Sequence, residues 1–365
     1  MARVESVISA AIAKDVYVII DWHSHSLDST TTEQEKALVF FPTMAQKYGT
    51  YDNVVFEVFN EPITTSWSII RPIEMELVDT IRKYSDNLIL VGTPFYSQDV
   101  EDVVSDPITG TNIITGKARS NIAYTFHFYA GTHTLGGVGN NSLTYQNKIT
   151  TTLNAGYAVF VSEYGTTHAD GGSATAGHYY THDVTSSDAW HSFLDSYSIS
   201  SCAWNVNDKY EGSSFLGISS TPSFDQSVSA NWYNTSLMTT SGQYIYNKLN
   251  SYASNATWRN ASSSATSSSS VAVSSSSDSV ETTPLVGNDD LRWNINATSD
   301  GLALTVGGFG MVSLEIFTIT GKSIRQSQAY ATGNYLISMR DLPRGLYLAR
   351  ARLGSVQQIL CIALQ

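Results

Sequence analysis

Charge is scarce in this sequence. Asp, Glu, Lys and Arg make up 14% of 365 residues, against about a quarter in an ordinary globular protein. The charge that exists runs acidic, with 20 basic against 32 acidic side chains and a formal net charge of −12. Nucleic-acid binders neutralise phosphates with Lys and Arg, so that class is excluded. Docking on anionic membranes is excluded for the same reason. Cysteine is almost missing: Cys202 and Cys361 are the whole complement. They provide neither a disulfide framework nor a metal-type spacing. No apolar run approaches the ~20 residues that a membrane-spanning helix needs. The chain also lacks the basic and then apolar stretches of an export leader. Met1 is followed at once by a helical pattern, with Val4, Val7, Ile8, Ala11 and Ile12 on one face.

Aromatic and neutral polar residues are plentiful. Tyr (21) and Trp (7), among many Ser, Thr and Asn, suit secretion and neutral polar ligands. Serine is concentrated in one place, with 12 of the 20 residues from 261 to 280. Such a tract cannot bury enough apolar surface to offset its ordering entropy. It reads as a flexible linker over 251–284, between a domain at 1–250 and a tail at 285–365.

The first domain alternates short apolar strands with helical stretches. The strands expected are Val16–Trp22, Val54–Phe59, Leu88–Gly92, Ile122–Phe128, Ala158–Ser162 and Ser200–Trp204. Their near-continuous apolar character is that of parallel strands buried on both faces. Helices are expected near 33–48, 67–84, 97–105, 145–154 and 186–198. Polar and titratable groups gather at the C-terminal ends of nearly all the strands: Asp21 and His23, Asn60 and Glu61, His127 and Tyr129, Glu163, Trp204 and Asn205. A (β/α)8 TIM barrel builds its active site from those ends. An open doubly wound sheet would concentrate them at one switch point.

Glu61 and Glu163 stand out. A carboxylate at the end of a buried strand is costly unless it is paired or used. Two of them, surrounded by His, Tyr, Trp and Asn, suit glycosidic bond cleavage. One donates a proton to the leaving oxygen, and the other attacks the anomeric carbon or activates water. Trp204 offers a flat face for the C–H side of a sugar ring, whereas Trp22, Trp67 and Trp190 read as core. The competing use of Asp21, His23 and His25 is zinc, since they alternate along an extended stretch. The later strand ends supply Asn-Glu and Ser-Glu, not a further His pair with an Asp. His133 reads as a solvated loop residue. His168, His178, His182 and His191 are scattered and carry no signal.

Tyr17-Val18-Ile19-Ile20-Asp21-Trp22-His23, Phe59-Asn60-Glu61-Pro62, His127-Phe128-Tyr129-Ala130-Gly131-Thr132-His133 and Val161-Ser162-Glu163-Tyr164-Gly165-Thr166 occur in this order. Together they resemble glycoside hydrolase family 5, in its bacterial endo-1,4-β-glucanase (cellulase) branch. The resemblance covers most of 1–250. It implies retaining hydrolysis of internal β-1,4-glucosidic bonds in cellulose or related β-glucans, with no cofactor and no metal. Glu61 would be the acid/base and Glu163 the nucleophile. Asn60 would hold the sugar 2-hydroxyl, His127 would support the acid/base, and Tyr129 would keep the nucleophile ionised. His23 would line the subsite beside the cleaved bond, with Trp204 as the platform under that sugar. Lys209 and Glu211 would bind hydroxyls further along the cleft.

The chain also departs from that family. Six strand units are found where the fold requires eight, and the first matches the family's third. The sequence is therefore expected to lack about the first two β–α units, which would also have carried the export signal. Those units supply an Arg near the nucleophile and a His beside the substrate, and neither has a counterpart here. Tyr164 stands where relatives usually carry Trp. A chain so shortened has an alternative reading as an inactive glycan-binding remnant. A relative acting on mannan or xyloglucan would keep the same two acids.

The tail shows alternating strand patterns at Leu302–Val306, Val312–Thr318, Tyr335–Ser338, Leu346–Ala351 and Gln357–Ile362, which reads as a small all-β sandwich. Ile316-Phe317-Thr318-Ile319-Thr320-Gly321-Lys322 and Leu342-Pro343-Arg344-Gly345-Leu346-Tyr347 resemble C-terminal sorting domains of the type IX secretion system. That resemblance implies secretion machinery as a partner and a secreted or cell-surface location.

Overall fold

Strands covered on both faces need apolar residues at nearly every position, and the computed structural model places the six apolar segments as one parallel sheet. It describes residues 2–26, 31–63, 66–173, 176–177, 181–217, 234–255, 293–298, 301–318, 322–353 and 356–364. The expected linker falls outside these from residue 256 onward. The elements are α1 (Ala2–Ala13), β1 (Val18–Asp21), α2 (Thr31–Tyr48), β2 (Val54–Glu57), α3 (Trp67–Ile81) and β3 (Ile89–Val91). A single turn α4 (Pro94–Ser97), β4 (Ile122–Tyr129), α5 (Tyr145–Asn154), β5 (Ala158–Gly165), α6 (Val184–Tyr197) and β6 (Ser201–Ala203) follow. Strand order is β1-β2-β3-β4-β5-β6. A further helix, α7 (Thr240–Asn255), was not expected and runs past the boundary placed at residue 250.

The sheet is curled. In a flat six-stranded sheet the outer strands lie roughly 24 Å apart, at about 4.8 Å per step. Here His23, just beyond β1, and Trp204, just beyond β6, stack with ring centroids 5.5 Å apart. A curled parallel sheet with helices outside is consistent with a (β/α)8 fold. Among the described residues it has six strands.

Alternation along the strands sorts the side chains. Ile20, Phe56, Ile89, Val91 and Tyr124 join the helices in the main apolar core. Ile19, Val55, Leu90, Ala123 and Phe160 form a separate inner cluster. Two residues further along the strands, on the inner face, come Asp21, Glu57, Thr125 and Ser162. The inner face thus passes from an apolar layer to a polar one toward the strands' C-terminal ends. Trp67 and Trp190 are buried and Trp22 packs against the core, as expected. Tyr164 stacks on Phe128, with centroids 5.5 Å apart.

The tail contains β7 (Trp293–Thr298), β8 (Gly301–Thr318), β9 (Ser323–Ser338), β10 (Gly345–Leu353) and β11 (Val356–Leu364). All pairings are antiparallel, in the order β11-β10-β8-β7 with β9 also on β8. The two segments expected at 302–306 and 312–318 are one long strand, whose register slips between Val306 and Gly310. The tail rests on the first domain. Asp79 of α3 accepts from Arg119 (2.7 and 2.8 Å) and Asn112 (2.7 Å). These bonds fix the segment carrying Ile114, whose side chain is buried in the tail's apolar core.

Buried acids make this fold sensitive to alkali. Glu74 of α3 is fully buried, and burial pushes its carboxyl well above the usual range against the pull of the Gly92 backbone. Burial also pushes Glu76 up to about 7. A carboxyl raised on folding stabilises fully below its unfolded value near 4.3, and that stability is lost as pH rises through the folded value. Thermal melts should therefore show Tm falling between about pH 5 and 8. Glu74→Gln should raise Tm at pH 8 by about 3 °C and change it little at pH 5. Equal shifts at both pH values would remove Glu74 as the cause.

Candidate active site

A bulge between β4 and β5 sets the site. Thr125 pairs with Phe160, yet His127 pairs with Glu163, so β5 advances three residues while β4 advances two. The same slip appears against β6, where Val161 pairs with Ser201 and Tyr164 with Ala203. Alternation would send Ser162 and Glu163 to opposite faces. The extra residue re-aims the strand, and both side chains bond to groups of β4 on the inner face.

Glu61 follows β2 and is gripped from two sides. Its Oε1 lies 2.8 Å from His127 Nδ1, and its Oε2 lies 3.0 Å from His25 Nε2. Glu163 Oε1 accepts from the Tyr129 hydroxyl at 2.7 Å. Glu61, Glu163 and His127 each place an oxygen or ring nitrogen within 4.8 Å of the other two. They border a cavity of about 750 Å³ with Tyr129, Phe95, Tyr96 and Val138. Phe95 and Tyr96 sit on a turn in the left-handed region (φ 55° and 59°). Tyr96 N–H donates to Pro62 O (2.7 Å), and Ser97 Oγ donates to Asn60 O (2.8 Å), tying that turn to the Asn60-Glu61-Pro62 segment.

The electrostatics are those of a largely buried acidic site. Burial raises the Glu163 carboxyl, His127 lowers it, Glu61 raises it again, and the Tyr129 bond opposes the rise; the net direction is up. Burial works against the charged form of His127, but the bond to Glu61 and the charges of Glu163, Glu61 and Glu57 leave its pKa raised. Burial and the Glu163 charge push the Tyr129 phenol far up, so it remains a donor. His23 is raised chiefly by its 2.8 Å bond to Asp21.

The other expected residues lie around this centre. The rings of His23 and Trp204 are nearly parallel, 3° apart. Asn60 is buried, and its N–H donates to Trp22 O at 3.2 Å. Glu211 accepts from Ser213 (3.0 Å) and Asn205 (3.2 Å) and pairs with the exposed Lys209 at 2.5 Å. Asp21, His23 and His25 do not converge: His23 turns to Asp21 and His25 to Glu61. His133 is buried, not solvated. Its Nδ1 accepts from Tyr129 N–H at 3.0 Å, and its carbonyl accepts from the Trp190 indole at 2.6 Å. Sequence reasoning missed Glu57, Ser162, Phe95 and Tyr96. A carboxylate inside the apolar run Val54-Val55-Phe56-Glu57-Val58-Phe59 was the available signal.

Comparison with known proteins shows the chain to be a glycoside hydrolase. The chain belongs to the cellulase family, glycosyl hydrolase family 5, whose profile matches residues 1–210. It is 44% identical over 215 residues to Endoglucanase Z of Dickeya dadantii, covering 58% of this chain and 44% of that protein. It is 34% identical over 306 residues to an endoglucanase of Clostridium saccharobutylicum, covering 83% of this chain and 60% of that one. The chain thus spans about half the length of these curated relatives. A solved structure from Cytophaga hutchinsonii aligns at 34% identity with a TM-score of 0.57, over 70% of this chain and 73% of that one. The catalytic domain of Thermobifida fusca endoglucanase Cel5A in complex with cellotetraose aligns at 25% identity and TM-score 0.55, over 68% and 74%. Among the described residues no helix is long and apolar enough to cross a membrane.

Proposed function

We propose that the protein cleaves internal β-1,4-glucosidic bonds of cellulose or related β-glucans with retention of configuration. The observation that carries this reading is the approach of a Glu61 and a Glu163 oxygen within 4.8 Å. Retaining enzymes hold their two carboxyl groups about 5–5.5 Å apart, and inverting ones leave room for a water between them. Glu163 attacks the anomeric carbon while Glu61 protonates the departing oxygen. Water then releases the sugar from Glu163, giving its proton back to Glu61. Tyr129 steadies the Glu163 charge, and His127 serves Glu61. Trp204 and His23 lie under the sugar, Asn60 takes its 2-hydroxyl, and Lys209 with Glu211 hold hydroxyls beyond it. The endoglucanase relatives support the choice of polymer. The tail, by its likeness to sorting domains, would carry the protein out to an insoluble substrate.

Proton NMR of the first product on cellotetraose tests the reading. A β-anomer formed before mutarotation is expected, and an α-anomer would overturn retention. A second reading rests on β1 and β6, which have no further strand partner among the described residues: a glycan binder that does not cleave. Binding without release of reducing ends would favour it.

The pH profile follows from Glu163. The nucleophile acts ionised, and its pKa is raised, so the acid limb of kcat/KM should lie above the ordinary glutamate value near 4.3. Tyr129→Phe removes a bond that favours the charged form and should move that limb further up. A limb unmoved in Tyr129→Phe would show that the phenol does not stabilise Glu163.

A further inference from the structure

Behind His127 runs a buried chain of hydrogen bonds that the mechanism above does not use. His127 Nδ1 faces Glu61, and its Nε2 lies 2.9 Å from Ser162 Oγ. Ser162 Oγ in turn donates to Glu57 Oε1, which also accepts from Thr125 Oγ1 at 3.3 Å. Glu57 and Thr125 are buried, and the chain crosses β2, β4 and β5.

The direction of these bonds has a consequence. Ser162 has one proton, and giving it to Glu57 leaves its oxygen as an acceptor. With Glu57 Oε1 as the acceptor of both Ser162 and Thr125, the proton on the His127–Ser162 line belongs to Nε2. We infer that Glu57 is a positioning residue: by taking the Ser162 proton it fixes the Nε2–H form of His127 and leaves Nδ1 free to share a proton with Glu61. The proton on the Nδ1–Oε1 line is the one that passes to the leaving oxygen as the glycosidic C–O bond breaks and the Glu163–carbon bond forms. The proton of the attacking water restores it.

The surroundings agree. Glu57 is faced by Asp21 of β1, His127 of β4 and Cys202 of β6, and His127 also by Glu61 and Glu163. Burial first, and the Asp21 charge second, raise the Glu57 carboxyl. Its role here needs only its acceptor oxygen.

The inference rests on Glu61 being the acid/base, so its test separates the two. In the full chain, nitrogen-resolved NMR of His127, above the pH at which the ring loses its charge, should show the proton on Nε2. In Glu57→Leu, Ser162 loses its acceptor and turns to donate to Nε2, so the proton should move to Nδ1. The pair then carries one proton fewer, and the basic limb of kcat/KM on an unactivated substrate should fall by about one pH unit. Glu57→Gln keeps an acceptor oxygen and should retain both the wild-type tautomer and the wild-type limb. A merely structural role would lower activity in both variants without moving tautomer or limb. An Nδ1–H ring in the unmutated protein would overturn the inference without any variant, as would an unchanged tautomer in both Glu57→Leu and Ser162→Ala. The expected tautomers in a protein that releases no sugar would instead sink the reading of Glu61.

Discussion

Glu163→Ala is expected to lower kcat/KM on a soluble cellulose derivative by a factor on the order of 10⁴ or more. The methyl group left behind cannot reach the anomeric carbon, and Tyr129 loses the oxygen to which it donates at 2.7 Å. The alanine also vacates space beside the carbon under attack. Azide added to this variant should enter that space and restore part of the turnover on an activated aryl glycoside. Because the azide attacks once, from the side Glu163 occupied, the product should be the α-glycosyl azide. The loss is specific to the carboxylate, so Glu163→Gln should be similarly inactive although it preserves volume. Unchanged turnover in either variant would remove Glu163 from the mechanism.

The order of the strands was legible because each is a short apolar block between helical periods, and all six lie where those blocks predict. The boundaries followed the apolar residues, so β1, β2, β3 and β6 are shorter than the blocks, while β4 and β5 run past them into the polar ends. Helix α7 was not legible. Its sequence, Thr240-Ser241-Gly242-Gln243-Tyr244-Ile245-Tyr246, has Gly and two β-branched residues in its first turns, and tertiary packing decides such segments. In the tail, the stretch between the two expected segments 302–306 and 312–318 lies inside one strand. Gly310 sits in β8, opposite Ala331, where the register has just slipped. Glycine marks a bulge as readily as a turn, and only pairing separates the two.

The site was legible where a residue type is expensive to bury without use, as with Glu61 and Glu163. It was not legible where geometry does the work. Strict alternation puts Ser162 and Glu163 on opposite faces, and only the bulge brings both inward. The spacing of His25 from His23 offered zinc as a competing use. In the structure the two rings serve different carboxylates. His133 looked solvated because it lies outside a strand, yet its ring nitrogen satisfies a buried Tyr129 N–H. A loop residue is committed to the core whenever a buried donor needs it.

Glu61→Ala should behave unlike the nucleophile variant, and the contrast is the sharper test. A general acid matters in proportion to how poorly the leaving group departs. Cleavage of unactivated β-glucan should fall by about 10²–10⁴-fold, whereas release of an activated aryl group should be nearly unaffected in the first step. The second step then limits turnover, because no base remains to activate water. Azide needs no such base and should accelerate that step. It attacks a sugar already inverted once on Glu163, so the product should be the β-glycosyl azide, opposite in configuration to that from Glu163→Ala. His25 and His127, which hold the two Glu61 oxygens at 3.0 and 2.8 Å, lose their shared carboxylate in this variant. Two azide products of opposite hand from two single substitutions would fix which glutamate attacks and which donates. The same anomer from both would show that the roles are not divided between these residues.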